Sequence, residues 1–302
     1  MKFLSSTDGF SIVIPAYNEA GALAETLASL QRALADLTTK VEVIVVDDGS
    51  VDGTSAAVTG KNVRILKHPI NCGYGRSLLT GIEAALYDTI VIMDADGTYP
   101  AAELPSLLAF YDRGFHMAVG ARQGKHYQSS VGKRLLRMLF RFLAEFTCGR
   151  DIPDINSGFR IFDRRPVLRW RDSMSTGFSF TTTITLLFML NNLLVGYMPI
   201  SYSKRVGQSK VRLFRDSFRS LQIIITTIAQ FNPLKLFLLL GIINLAGNFC
   251  LWACVLQWEW SSILVWIWLL AWNTSAAIAS ASIIALGLIK PVGAHAHQLP
   301  NA

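Results

Sequence analysis

Charge is what this chain has least of. Asp, Glu, Lys and Arg make up 16% of its 302 residues against 51% hydrophobic ones, with a mean hydropathy of +0.37. Ordinary soluble domains carry about a quarter charged residues, so part of the chain is built for another solvent. Cysteine is also scarce, at four residues. Cys72 and Cys148 are isolated, and Cys250 and Cys254 lie one helical turn apart inside an apolar run, which excludes a disulfide scaffold or a cysteine metal centre. The five histidines lack ligand spacing. No basic start followed by an apolar core opens the sequence, so no cleavable signal is expected, and the soluble part reads as reduced and cytosol-facing. A phosphate-loop lysine motif and a Gly-x-Ser-x-Gly elbow are both missing. Gly73-x-Gly75 lacks a third glycine and follows the third strand, which argues against a dinucleotide site.

The apolar excess is concentrated near the C-terminus. Leu236 to Leu256 is 21 residues without a charge and Ile263 to Ile289 is 27, each long enough to cross a hydrocarbon core. Gln257 to Ser262 joins them, with Trp258 and Trp260 placed as an interfacial belt. The net charge of +7 is uneven: Arg122 to Arg150 and Lys204 to Arg219 together carry +11, leaving −4 elsewhere. These basic stretches flank apolar runs and precede the spans, which points to anionic lipid headgroups and not to nucleic acid. Lys290 follows the second span, so both termini are expected in the cytosol. Asn244 and Asn248, one turn apart in the first span, read as helix–helix packing or oligomerisation residues. The expected division is a catalytic domain over 1–210, an amphipathic helix over 211–232, two spans over 233–290 and a cytosolic tail over 291–302.

Within the first 210 residues, short apolar runs alternate with helical patterns. Strands are expected at Phe10–Pro15, Val41–Val46, Val63–Leu66, Ile90–Met93, Met117–Gly120, Phe159–Phe162 and Gly196–Tyr202. Helices are expected after Glu19, after Asp52-Gly53-Thr54, over Ser77–Leu86, over Ser130–Thr147 and over the buried run Thr185–Leu194. Alternation of this kind implies a mainly parallel sheet with helices on both faces. Ser130–Thr147 places Arg134, Arg137 and Arg141 beside Leu135, Leu139, Phe142 and Phe146, a pattern equally suited to a membrane interface and to the domain core.

The chemistry gathers at strand ends. Thr89 to Pro100 is an apolar run that breaks into Asp94-Ala95-Asp96 and then turn residues. On a strand the two carboxylates would project to one side, at the carboxyl edge where open α/β sheets bind ligands. Hard oxygen donors so placed suit Mg²⁺ or Mn²⁺ on a substrate diphosphate. A calcium loop is excluded, because Tyr99 stands where its glycine belongs and Pro105 where its bidentate glutamate belongs.

Four motifs in order, Pro15-Ala16-Tyr17-Asn18-Glu19, Asp47-Asp48-Gly49-Ser50, Asp94-Ala95-Asp96 and Ser157-Gly158-Phe159-Arg160, resemble family-2 glycosyltransferases. The likeness is to the polyprenyl-phosphate branch that includes the dolichol-phosphate mannose synthases, and it covers roughly residues 10 to 210. It implies a mixed, mainly parallel GT-A-type sheet (Rossmann-like) flanked by helices, followed by amphipathic interface helices and a two-helix transmembrane hairpin. It also implies that Pro15, Ala16, Tyr17, Glu19 and Asp48 hold the base and ribose of a nucleotide-sugar. Asp94, Ala95 and Asp96 would line the donor, with Asp94 and Asp96 holding Mg²⁺ or Mn²⁺. Arg160, helped by Arg122, Arg205 and Lys210, would bind the phosphate of a lipid acceptor, and Asp154 would orient the reacting groups. Asp96, Asp154 and Arg160 are the catalytic candidates.

The sequence departs from that pattern twice. Thr98 replaces a glutamine expected two residues after the metal pair, and Thr181, Thr182 and Thr183 stand where many relatives carry an acid. Donor sugar and nucleotide therefore do not carry over. The reaction implied is an inverting, metal-dependent transfer of a sugar from a nucleoside-diphosphate sugar to a polyprenyl phosphate at the cytoplasmic membrane. The alternatives are transfer to a neutral lipid hydroxyl such as diacylglycerol, with Asp154 as base, and an inactive membrane scaffold that keeps the fold, against which the intact acids Asp48, Asp94 and Asp96 argue.

Overall fold

Runs apolar on both faces belong inside a sheet, and seven strands of this chain assemble in the order β3-β2-β1-β4-β6-β5-β7. The structure is a computed structural model that describes residues 9–58, 60, 62–123, 131–203, 221–227, 233–258, 269–278 and 281–282. The strands are β1 (Phe10–Ala16), β2 (Val41–Asp47), β3 (Val63–Lys67), β4 (Thr89–Ile92), β5 (Met117–Gln123), β6 (Arg160–Asp163) and β7 (Val195–Ser201). All seven stand where apolar runs predict them. β1 pairs in parallel with β2 and β4, β2 with β3, and β5 with β7, whereas β6 runs antiparallel between β4 and β5.

Side chains alternate across the sheet and divide the core into two layers. On one face Ile12, Ile14, Val43, Val45, Val91 and Ile161 pack with Leu23, Leu27 and Leu30 of α1 (Ala20–Leu34) and Leu104, Leu107 and Leu108 of α3 (Leu104–Tyr111). On the other, Val13, Ile44, Val46, Ile90, Ile92 and Phe162 pack with Leu78 and Ile82 of α2 (Tyr74–Ala84), Val167 of α5 (Arg164–Arg169) and Phe180, Ile184 and Phe188 of α6 (Phe180–Leu190). A helix was expected after Asp52, but only a 3₁₀ turn, Thr54–Ala57, forms there. Asp52 accepts hydrogen bonds from both the backbone N–H and the hydroxyl of Thr54, a local turn that competes with helix propagation.

The amphipathic stretch folds as α4 (Val131–Cys148), which packs against α6. Phe140, Ala144 and Thr147, four and three residues apart, form the buried line of its described part, while Met138, Leu139 and Phe142 are exposed. The core-facing stripe is thus rotated from the leucine–phenylalanine stripe read in the sequence, and it leaves apolar surface beside the exposed Arg141.

The chain divides into two compact units, Met1–Leu221 and Gln222–Ala302. In the second unit α7 (Pro233–Trp258) contains an 18-residue window, Pro233–Cys250, of mean hydropathy 1.6, long and apolar enough to cross a membrane. Residues 269–278 are helical, and Asn248 and Asn273 exchange side-chain hydrogen bonds of 3.2 and 3.1 Å across the two helices. Asn248 also donates to Asn244 Oδ1 at 2.9 Å. The amides therefore serve helix–helix packing, one of the two roles expected of them. Most of the second apolar run and the tail lie outside the described residues, as do the expected boundaries at 210 and 290.

Candidate active site

The carboxyl ends of β1, β2 and β4 bring three of the four motif loops to one edge of the sheet. After β1, Asn18 takes a left-handed conformation (φ 50°), which an asparagine tolerates better than most residues. Its backbone N–H donates to Ser50 Oγ at 2.9 Å, its side-chain oxygen accepts from Val51 N at 3.0 Å, and Glu19 N donates to Thr54 Oγ1 at 2.9 Å. The Tyr17–Glu19 turn is thereby stitched to the loop after β2. Tyr17 and Glu19 are half-buried there, while Pro15 and Ala16 remain in the buried strand.

The two aspartates after β2 brace the loops around them. Asp47 accepts from Ser50 N and from the Ser55 hydroxyl. Burial works to raise its pKa, but these hydrogen bonds and the nearby Lys67 outweigh it and hold the carboxyl below the usual range. Asp48 Oδ1 lies 2.6 Å from His68 Nδ1 and accepts from Cys72 N at 2.9 Å, and its Oδ2 accepts from Gly73 N at 2.8 Å. The carboxylate implied to read a base thus anchors the β3–α2 loop. Asp48, His68 and Cys72 are a group of three mixed donors among the described residues, with ligand atoms within 4.8 Å of one another. The hydrogen bonds to Asp48 account for that cluster without an ion.

At the end of β4 the strand stops at Ile92, so neither aspartate lies on it, and Ala95-Asp96 lies in a turn closed by Gly97 at φ 72°. The two acids are therefore held separately. Asp94, half-buried, accepts from the Tyr74 hydroxyl at 2.8 Å. Its carboxylate lies against Gly158, where a Cβ would sit 2.6 Å from Oδ2. Asp96 is 4% exposed, and its Oδ1 accepts from Thr98 N at 3.1 Å and Thr98 Oγ1 at 2.6 Å. Thr98, which stands in place of the glutamine of the family pattern, thus orients Asp96. As two carboxylates, hard oxygen donors each oriented by a hydroxyl, Asp94 and Asp96 fit a hard divalent cation.

The Ser157-Gly158-Phe159-Arg160 motif departs most from expectation. Arg160 lies on β6 opposite Ile92 of β4 and Val119 of β5, pointing to the layer under α6, and is fully buried. Its guanidinium donates to the carbonyls of Ser157 (2.7 Å), Ile155 (2.7 Å) and Thr181 (3.0 Å) and to Thr185 Oγ1 (2.7 Å). Burial lowers its pKa from the ordinary arginine value, and the charge is stabilised by oxygen dipoles all round. In this structure Arg160, expected to bind acceptor phosphate, ties the 155–157 loop to the first turns of α6. Thr182 adds a bond to Asn156 Oδ1 at 3.2 Å. The buried threonines replacing an acid thus serve the same junction.

Arg122 does reach the edge of the site, but as a partner of Asp154. Its Nε and a terminal nitrogen bond the two Asp154 oxygens at 2.7 and 2.8 Å, and its guanidinium lies 5.4 Å from the Tyr202 ring centroid. Burial pushes the Asp154 pKa up, yet the Arg122 hydrogen bonds and charge prevail and hold it below the usual carboxylate range. Arg205 and Lys210 lie outside the described residues. Sequence reasoning missed Tyr74 and the role of Tyr99, whose hydroxyl accepts from Gly158 N at 2.7 Å. The signal for Tyr74 was its place at a helix start after Gly73, at the carboxyl end of β3.

Residues 11–170 match the sequence model described as "Glycosyl transferase family 2". The chain belongs to that family. It is 33% identical over 218 residues to the low-salt glycan biosynthesis hexosyltransferase Agl6 of Haloferax volcanii, a match covering 69% of this chain and 51% of the relative. The chain thus matches about half the length of that protein. It is 28% identical to the undecaprenyl-phosphate 4-deoxy-4-formamido-L-arabinose transferase of Salmonella choleraesuis, over 80% of this chain and 73% of the relative. Among solved structures, glucosyl-3-phosphoglycerate synthase of Mycobacterium tuberculosis superposes with a TM-score of 0.58 at 18% identity, covering 73% of this chain and 80% of that one. That likeness establishes the shared fold. The same synthase in complex with Mn²⁺ and uridine-diphosphate-glucose gives a TM-score of 0.57.

Proposed function

We propose that this family 2 glycosyltransferase moves a sugar, with inversion, from a nucleoside-diphosphate sugar to a polyprenyl phosphate at a membrane. The observation that carries the reading is the convergence of Tyr17–Glu19, Asp47–Asp48 and Asp94–Asp96 at one carboxyl edge, in a chain that also contains the apolar helix α7. The Salmonella relative's named acceptor is undecaprenyl phosphate.

In this reading Tyr17 offers a stacking face to the nucleotide base, and the Asp48-anchored loop forms the neighbouring wall. Asp94 and Asp96 hold Mg²⁺ or Mn²⁺, which when bound offsets the charge gathering on the departing diphosphate. An oxygen of the lipid phosphate forms its bond to the anomeric carbon from one face as the bond to the diphosphate breaks on the other. That nucleophile is anionic at neutral pH and needs placement, not a base. Asp154 bears on the choice of acceptor. A neutral lipid hydroxyl would need a proton acceptor, and a carboxylate whose proton affinity is depressed by a two-pronged Arg122 pair is poorly matched to that task. Arg122, Arg205 and Lys210 remain the proposed contacts to acceptor phosphate, and Arg160 acts behind them. The two charge-free runs form a membrane hairpin, with the catalytic unit and the tail on the cytosolic side.

The test is incubation of the purified protein with Mg²⁺ or Mn²⁺, a panel of sugar nucleotides and either polyprenyl phosphate or diacylglycerol, with products identified by mass. A sugar phosphate diester of the polyprenol supports the reading, and a glycosyl diacylglycerol replaces it.

A further inference from the structure

We infer that Tyr74 is a positioning residue of the cation site, its hydroxyl setting the orientation in which Asp94 meets a divalent cation. The inference rests on the assignment of that cation to Asp94 and Asp96 proposed above.

The phenol is the first residue of α2 and donates to Asp94 Oδ1 at 2.8 Å. Its ring is fixed, stacked on Phe178 at 5.6 Å between centroids and 17° between planes. The helix start behind it is fixed as well. Gly73 is left-handed at φ 102°, and a Cβ on Gly75 would lie 2.1 Å from the Ser175 carbonyl oxygen. Arg76 N donates to Thr176 O at 3.0 Å. These contacts bolt the first turn of α2 onto residues 175–178, which explains Gly73-x-Gly75 without any dinucleotide.

Asp94 is confined from a second side by Gly158. Rotation of a carboxylate about its terminal bond is otherwise soft and broad, so a ligand held by nothing else would meet the cation in a spread of orientations. Partners that orient a metal-ligating side chain typically change metal affinity by about 10- to 100-fold when removed.

The test is Tyr74→Phe in the purified full chain, since phenylalanine keeps the ring and its stack on Phe178. Mn²⁺ binding is titrated by electron paramagnetic resonance, with and without UDP or GDP, and nucleotide binding is measured separately in EDTA. The expected result is Mn²⁺ affinity weaker by about tenfold. Nucleotide affinity in EDTA and the unfolding temperature should be unchanged, and kcat should be restored to within about twofold at saturating Mn²⁺. Unchanged Mn²⁺ affinity overturns the inference, as does a parallel fall of nucleotide binding in EDTA, which would mean general damage to the cleft. Asp94→Asn separates the two levels of the argument. If it abolishes Mn²⁺ binding while Tyr74→Phe has no effect, the inference fails and the cation assignment stands. If it binds Mn²⁺ as tightly as the wild type, both fail.

Discussion

Replacing Arg160 distinguishes a brace from a phosphate clamp, because the two roles predict opposite pairs of measurements. Removal of the guanidinium in Arg160→Ala takes a donor from three carbonyls and one hydroxyl in a fully buried site. The Thr185 hydroxyl still bonds the Thr181 carbonyl, so the orphaned acceptors are the Ser157 and Ile155 carbonyls, and at about 1–3 kcal/mol each the low end is about 2 kcal/mol before the cavity term. Domains of this kind have roughly 5–15 kcal/mol in hand, and this variant is expected to be poorly folded. Arg160→Lys is the informative change. It keeps the positive charge, but one nitrogen cannot reach acceptors spread around a planar fork. A loss of about 2–3 kcal/mol follows if two acceptors go unmet, which for a domain of about 200 residues lowers the unfolding temperature by roughly 4–12 °C. Because the loop carrying Asp154 and Gly158 loosens with it, kcat should fall while KM for polyprenyl phosphate stays within about twofold. Thermal unfolding with and without nucleotide, and kinetics varied in acceptor, provide both readouts. Wild-type stability with a KM for acceptor raised tenfold or more would refute the brace and restore the clamp.

Gly158→Ala places a methyl 2.6 Å from Asp94 Oδ2 and should cut activity by about tenfold or more through the cation, visible as a raised Mn²⁺ requirement. Thr98→Val keeps the volume but deletes the 2.6 Å hydroxyl bond to Asp96, so Mn²⁺ affinity should weaken by roughly 3- to 10-fold in the same titration. Acid stability should depend on Asp154, whose folded pKa lies below its ordinary value of 3.8. Its contribution is complete above that value and is lost as pH falls through the lower folded one. Asp154→Asn should therefore reduce stability at pH 7 and flatten the decline of unfolding temperature below about pH 4.

The sheet was legible because its strands are short apolar runs bounded by turn residues, and β1, β2 and β4 are buried along nearly their whole length, which leaves little polar alternation to confuse the reading. Direction was not legible. The run Phe159–Phe162 has the same apolar character whether it runs parallel or, as β6 does, antiparallel between β4 and β5. The motif loops could be placed by sequence because acids and glycines interrupt apolar runs there. What their side chains touch could not. Arg160 follows a Ser-Gly-Phe turn that looks solvent-facing in one dimension, yet the strand parity that buries Phe162 against Phe188 also carries Arg160 inward. In α4 the sequence left core and membrane interface equally open, and the described part of the helix packs through the small Ala144 between Phe140 and Thr147.

Those inward turns share a physical logic. This edge presents several carboxylates, which repel one another, and five of them are held by neutral or cationic donors in their own turn or in a neighbouring element. Asp47 is held by Ser50 and Ser55, Asp48 by His68 and two backbone N–H groups, Asp94 by Tyr74, Asp96 by Thr98 and Asp154 by Arg122. A hydrogen bond to an ionised group is stronger and shorter than a neutral one, so these partners stabilise the charges and also fix their directions before a cation or substrate arrives. A site arranged in advance spends less binding free energy on reorganisation when the diphosphate begins to leave. The arrangement depends on loops that are joined chiefly through such bonds. In the proposed reaction Arg160 and the α6 threonines, which bind one of those loops from beneath, would act through geometry without touching a reacting atom.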